Sequence, residues 1–282
     1  MKPDDRYADL PHSFWANVRT ISEQVGYTRD KQIKIPSLSD MQTAMHRLGL
    51  SSRHIVDESS HPTELGESLA SYFEHRANTL NESVEPLLMD ADEAKELFRE
   101  IRGKLRPTCP IPMNKQRGKK KAPAYFTAII NMLIEAHGHA LPCEYDPRRL
   151  TTVTRDGAPL RTLARRIDGA FPDTVNPVAI WEIKEYYYTT TFGSRVADGV
   201  YETLLDGMEL KELRDQEGVD VRHYLMVDSH YTWWDCGRSY LCRIVDMLNM
   251  GYVDEVLFGR EVTERLPDLV EEWVVLARER NG

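Results

Sequence analysis

Cysteine is scarce and scattered in this 282-residue chain: four residues (Cys109, Cys143, Cys236 and Cys242), with no CxxC pair. That spacing matches neither a zinc ribbon nor a thioredoxin-type redox motif, and it fits reduced thiols in a reducing compartment. His223, His230 and Cys236 lie close in sequence but match no metal-ligand pattern. Long apolar runs are also missing. None approaches the roughly 20 residues that span a bilayer, and the opening MKPDDRYADLPHSF lacks the apolar stretch of a secretion signal. The expectation is a cytoplasmic protein without membrane contact. No internal repeat is found.

An overall excess of positive charge is lacking too, since the net charge is −9. Taken alone this argues against a nucleic-acid partner, but the distribution reverses the argument. Residues 104–166 hold thirteen Lys and Arg against four acids, a local charge of +9, so the remainder carries −18. A basic segment on an acidic body points to a polyanion-binding face, with a solvated basic loop as the alternative.

The first 105 residues read as a helical region, a unit for DNA recognition or dimerisation. PSLSDMQTAMHRLGLSSRHIV predicts a helix from about Asp40, a break at Gly49 and a second helix capped by Ser51 or Ser52. Such a pair resembles a helix-turn-helix, with Gln42, His46, Arg53 and His54 towards DNA, although plain helical packing fits the same residues. Phe73, Ala77, Leu80 and Val84 recur at helical spacing as core, and ADEAKELFREIRGKL is a further amphipathic helix. Residues 106–122, with their prolines and lysine run, read as a basic linker. From 123 to 282 the pattern changes: a helix closed by Gly138, short extended segments at 139–145 and 150–154, then strands over 163–171 and 178–187 joined by the turn PDTVNP. A helix over 195–213, a strand over 221–228, a helix closed by Gly251, a short strand VDEVLF and a terminal helix complete the chain. This order predicts an α/β fold, a mixed sheet flanked by helices.

Side chains alternate faces along a strand. In VAIWEIKEYY, Ile180, Glu182, Lys184 and Tyr186 therefore share one face, and Trp181, Ile183 and Glu185 the other. Burying either charge alone is costly, but the pair makes sense in a cleft that holds a metal ion and a phosphate. Hairpin arithmetic sets Asp168 opposite about position 181, with its carboxylate beside Glu182. Two carboxylates suit Mg²⁺, for which Mn²⁺ can substitute. The lysine can orient or help deprotonate the attacking water, or offset transition-state charge.

Asp168, a turn, then Glu182-Ile183-Lys184 on an apolar strand resembles the PD-(D/E)XK nuclease superfamily, which includes most type II restriction endonucleases. The likeness extends over about residues 123–258 through motif and element order. It implies a restriction-endonuclease-like core, Asp168 and Glu182 as Mg²⁺ ligands, Lys184 as the catalytic lysine, and cleavage of nucleic-acid phosphodiesters. The literal Pro172-Asp173 leaves Asp173 as an alternative first ligand, but Asp168 is preferred, because Asp173 falls inside the expected turn and would point away from Glu182. Relatives often carry a glutamate early in the preceding helix; here the helix offers only Glu135, a possible accessory ligand. Arg195, Lys119, Lys120, Lys121, Arg165 and Arg166 are candidate phosphate contacts, and Tyr231, Trp233 and Trp234 form either a stacking surface or a core cluster. The leading function is a type II restriction-like endonuclease on double-stranded DNA, working as a homodimer. A structure-selective repair nuclease and a non-catalytic DNA-binding protein are the alternatives, beside a plain ion pair on a polar sheet face.

Overall fold

A computed structural model of the chain describes residues 1–8, 10–116, 118, 121–188 and 193–281. Its centre is a four-stranded mixed sheet in the order β5 (Gly169–Phe171), β6 (Ala179–Glu185), β7 (Arg222–Asp228), β8 (Glu255–Phe258). β5 runs antiparallel to β6, while β6, β7 and β8 are mutually parallel. The parallel pairs require crossovers, supplied by α6 (Ser194–Glu217) and α7 (Arg238–Asn249). β7 reads RHYLMVD, buried at every position after Arg222, because helices cover both faces. On one side lie α4 (Ala91–Leu105), α5 (Tyr125–His137) and α8 (Val262–Asn281), packed on Trp181, Tyr224, Met226 and Leu257. On the other, α6 and α7 cover Leu225, Val227, Val256 and Phe258. The fold is mixed α/β, and among the described residues no helix is long and apolar enough to cross a membrane.

A separate hairpin, β3 (Thr152–Arg155) and β4 (Ala158–Thr162), turns through Asp156 (φ 51°) and Gly157 (φ 79°). Two positive φ values are what a two-residue primed hairpin turn requires, and Asp-Gly supplies them. The single strand expected over 163–171 is therefore corrected. β5 takes up only its last three residues, and 163–168 is irregular chain leading from β4 to the sheet. The segment 139–145 forms no strand either, only a bridge between Glu144 and Ala170.

The amino-terminal region holds α1 (His12–Val25), a two-residue-strand hairpin of β1 (Thr28–Arg29) and β2 (Gln32–Ile33), α2 (Leu38–Arg47) and α3 (Glu64–Asn78). The expected helix-turn-helix does not form. After Gly49 the chain makes turns through residues 51–62, and the next helix is capped only at Thr63, whose hydroxyl accepts from the Gly66 amide at 3.1 Å. Ile55 is buried against the start of α3, where a Cβ on Gly66 would stand 2.1 Å from its carbonyl oxygen. His46 and His54 bond locally to Ser52 and Asn17.

One buried ion pair ties this region to the sheet. Arg76 of α3 donates to both oxygens of Asp246 of α7 at 3.0 and 3.1 Å, and the Tyr72 hydroxyl donates to the same carboxylate at 2.6 Å. The guanidinium lies against the rings of Phe73 and Tyr27, 5.0 and 5.4 Å from their centres. Removing one partner strands a charge that water cannot reach. Asp246→Ala should cost about 3–5 kcal/mol of unfolding free energy, read from denaturant midpoints. A loss below about 1 kcal/mol would show that the pair does not join the two regions.

Candidate active site

β6 is rotated so that its acid and lysine face α6. The opposite face fixes this: Trp181 stacks on Trp273 of α8 with ring centres 5.4 Å apart and planes at 10°. Gly169 in β5 makes room for that indole, since a Cβ there would lie 2.1 Å from its ring. With Trp181 and Ile183 turned to the α5–α8 side, Glu182 and Lys184 must point the other way. Both are buried, Glu182 fully. α6 passes close above them at Gly199, where a Cβ would be 3.0 Å from Lys184 Cδ.

Gly169 pairs with Trp181, so the residue before β5 comes level with Glu182. The Asp168 amide donates to Glu182 Oε1 at 3.2 Å, and the Ile183 amide donates to Asp168 Oδ2 at 2.8 Å. Lys184 Nζ donates to Glu182 Oε2 at 2.6 Å. The three residues expected to meet do meet. Asp173 does not join them: it sits in the turn beyond β5, where it accepts from Arg149 at 2.5 Å and the Val175 amide at 3.1 Å. Glu135 is also elsewhere, near the end of α5, accepting from the amide and hydroxyl of Thr108. The α5 amino terminus instead meets Glu185, which accepts from the Thr127 amide at 3.0 Å.

Two further carboxylates reach the site from α6, Glu202 and Asp206. Arg165 binds them. Its Nη1 donates to Glu182 Oε1 at 2.9 Å and Asp206 Oδ2 at 2.6 Å, and its Nη2 to Glu182 Oε2 and Glu202 Oε2, each at 3.3 Å. The signal for these acids was their position: 199, 202 and 206 lie on one helical face, the one that Gly199 presses to the sheet. The guanidinium expected to bind phosphate is thus engaged inside the site. Arg166 and Lys121 are exposed. Lys119, Lys120 and the Arg195 side chain lie outside the described residues. Trp233 and Trp234 are buried in the core beside α7, while Tyr231 is half-exposed.

Four carboxylates stand here against two cations, a deficit of two charges when all are ionised. Burial, then the charge of Glu182, pushes the Asp168 carboxyl up to about 6, and the same two causes push Asp206 up to about 7. Burial works to raise Glu182 as well, but Lys184 and Arg165 outweigh it and hold that carboxyl below its ordinary value. Burial would lower Lys184; Glu182 and Asp168 override it, keeping the ammonium protonated well above the usual lysine range. Lys184 thus stands in this arrangement as an ammonium held by Glu182.

Asp206 Oδ1 is buried with no hydrogen-bond partner among the described residues. Hard carboxylate oxygens, one unpartnered, and a deficit of two charges fit a divalent cation such as Mg²⁺. Glu182, Glu202 and Asp206 are drawn onto Arg165 and Lys184, while Asp168 accepts from the Ile183 amide, and among the described residues no three His, Cys, Asp or Glu side chains are grouped to hold a metal ion.

The chain belongs to the family described as a domain of unknown function, DUF7687, whose model matches residues 89–273. A second such model, DUF7690, matches residues 1–83. The two meet ahead of α4, whose Ala94, Phe98 and Ile101 pack with α5. No curated protein and no solved structure matches the chain.

The electrostatics set a sign. The folded chain keeps the Asp168 proton up to about pH 6, whereas an unfolded aspartate loses it near ~4. Its contribution is therefore full below ~4 and drains away as pH climbs through about 6. In chelator at pH 8, Asp168→Asn should be neutral or stabilising by up to about 2 kcal/mol, and this gain should vanish by pH 4–5. Glu182→Gln, which leaves Arg165 and Lys184 short of their main partner, should destabilise by about 2–4 kcal/mol. Equal losses from both variants would contradict this charge assignment.

Proposed function

We propose that the chain is a Mg²⁺-dependent endonuclease of double-stranded DNA, a type II restriction enzyme or related defence nuclease with a restriction-endonuclease-like core. The observation that carries the reading is the meeting of Asp168 and Glu182 across β5 and β6 with Lys184 beside them. The order α5, hairpin, β6, α6, β7 around that triad supports the resemblance to PD-(D/E)XK nucleases. Asp168 and Glu182 would hold the ion, with Mn²⁺ able to replace it. When bound, it supplies Lewis-acid polarisation of the phosphoryl group and a water of lowered pKa.

The chain's own residues do the rest. Lys184, held protonated, offsets the negative charge that grows on the phosphoryl oxygens. The apolar packing behind β6 keeps the triad rigid, and burial strengthens each of its interactions. Exposed Lys121 and Arg166, with Lys119, Lys120 and Arg195, would contact the DNA backbone. Cutting both strands calls for two such sites, most simply in a twofold homodimer acting in the cytoplasm.

One observation favours a second reading. Glu182 is already paired with both Arg165 and Lys184, as in a purely structural ion cluster on a DNA-binding or assembly protein. Incubating purified protein with plasmid and phage DNA in Mg²⁺ separates the two. The nuclease reading expects defined ends, and at least a ~10³-fold loss of cutting in Glu182→Ala and in Lys184→Ala, with DNA binding retained. Cutting undiminished in either variant rejects the site, and no cutting by the parent protein on any DNA favours the structural cluster.

A further inference from the structure

We propose that Arg165 is a displaceable internal counter-ion: its guanidinium and a divalent cation compete for the same carboxylates, so that Arg165 sets how tightly the ion is held. This rests on the nuclease reading and adds to it a residue with a defined positioning role.

Three observations carry it. The guanidinium makes four contacts with Glu182, Asp206 and Glu202, from 2.6 to 3.3 Å, spanning a strand and a helix. It thereby covers both oxygens of the proposed ligand Glu182. Second, the partners differ in their freedom to leave. Glu182 and Asp206 side chains are 0% exposed, whereas that of Arg165 is 23% exposed and springs from the irregular chain between β4 and β5. The arginine has a way outward, as does Glu202 at the rim, 43% exposed; Glu182 and Asp206 have none. Third, the charge count permits exchange but not coexistence. With Arg165 in place the four acids and two bases sum to −2. With Arg165 out and a divalent ion in, the sum is −1, so the swap reduces the imbalance. Holding both would press a guanidinium against a dication a few ångströms away, in surroundings that screen poorly.

Asp206 then has a task apart from the reaction. It makes the shortest of the four contacts and holds Arg165 over the site, where the guanidinium keeps the acids from repelling one another before an ion arrives. Two cations of the same site therefore have different duties: Lys184 stays, and Arg165 yields.

The test uses the full chain, Mn²⁺ as the probe, calorimetry and thermal melting at pH 8, with Arg165→Gln, Arg165→Lys and Glu182→Gln beside the parent. Arg165→Gln should melt below the parent in chelator, yet bind Mn²⁺ about tenfold more tightly and gain more in melting temperature when the ion is added. Arg165→Lys, which keeps the charge but cannot span Glu182 and Asp206 with two nitrogens as the guanidinium does, should tighten Mn²⁺ binding a few-fold and supplies the answer if Arg165→Gln does not fold. Mn²⁺ binding by the parent that is unchanged or weaker in these two variants overturns the competition while leaving the metal reading intact. Absence of binding in the parent and in both variants, or binding that survives in Glu182→Gln, overturns the metal reading and this inference with it.

Discussion

Two opposite charges buried two residues apart on one face of a central strand are the constraint from which the rest of this fold follows. Glu182 and Lys184 satisfy each other in part, at 2.6 Å, but each has lost its water and needs more partners than the other provides. The opposite face of β6 is secured by the packing of Trp181 on Trp273 and by Glu185, which accepts from the Thr127 amide. The helix over the charged face must come close without crowding the lysine stem, so position 199 has no side chain. Polar groups must converge from elsewhere: Asp168 from the chain before β5, Arg165 from the irregular segment, Glu202 and Asp206 from α6. Few of these features serve any purpose if β6 is turned over.

The molecule contains its own comparison. Arg76 and Asp246 are also buried and also hydrogen-bonded, but one cation faces one anion and aromatic rings close around them. That is how a structural ion pair is built. At the candidate site four acids face two bases and two carboxyls are pushed towards neutrality; among the described residues one oxygen of Asp206 stays unpartnered, as Arg76 Nε does in the structural pair. An imbalance of this kind destabilises the fold, and carboxyls perturbed by burial and a neighbouring charge mark the cluster as a candidate functional site. The same imbalance gives Arg165 its meaning, as a cation that holds the acids together until another replaces it.

Much of this was legible in the residues. The alternation of VAIWEIKE gave the strand and the face that carries the charges, and turn counting placed Asp168 within one residue of its observed position. The prolines, Asp and Asn of PDTVNP marked a turn, which is why Asp173 could be expected to point away. What was missed has physical causes. Asp156-Gly157 is a hairpin signal, but the short, half-exposed strands beside it carry little apolar alternation, so β4 was missed and the irregular chain after it was read as strand. Ser51 and Ser52 look like helix caps, yet the packing of Ile55 on α3 bends that segment into turns. Glu202 and Asp206 were hidden because acids on a helix normally face water; only the paired observation that Gly199 lies on the same side shows that this stripe is inward. Arg165 was legible as a basic residue near the site, but its partners come from a helix some forty residues on, a distance no local pattern reports.

The most direct test is the position of a bound ion. In crystals soaked with Mn²⁺, anomalous difference density should show a peak about 2.0–2.3 Å from carboxylate oxygens of both Asp168 and Glu182, with Lys184 Nζ nearby. Crystals that show no peak there at saturating Mn²⁺, with Arg165 still bound to Glu182 and Asp206, would contradict the account and leave the cluster a structural one.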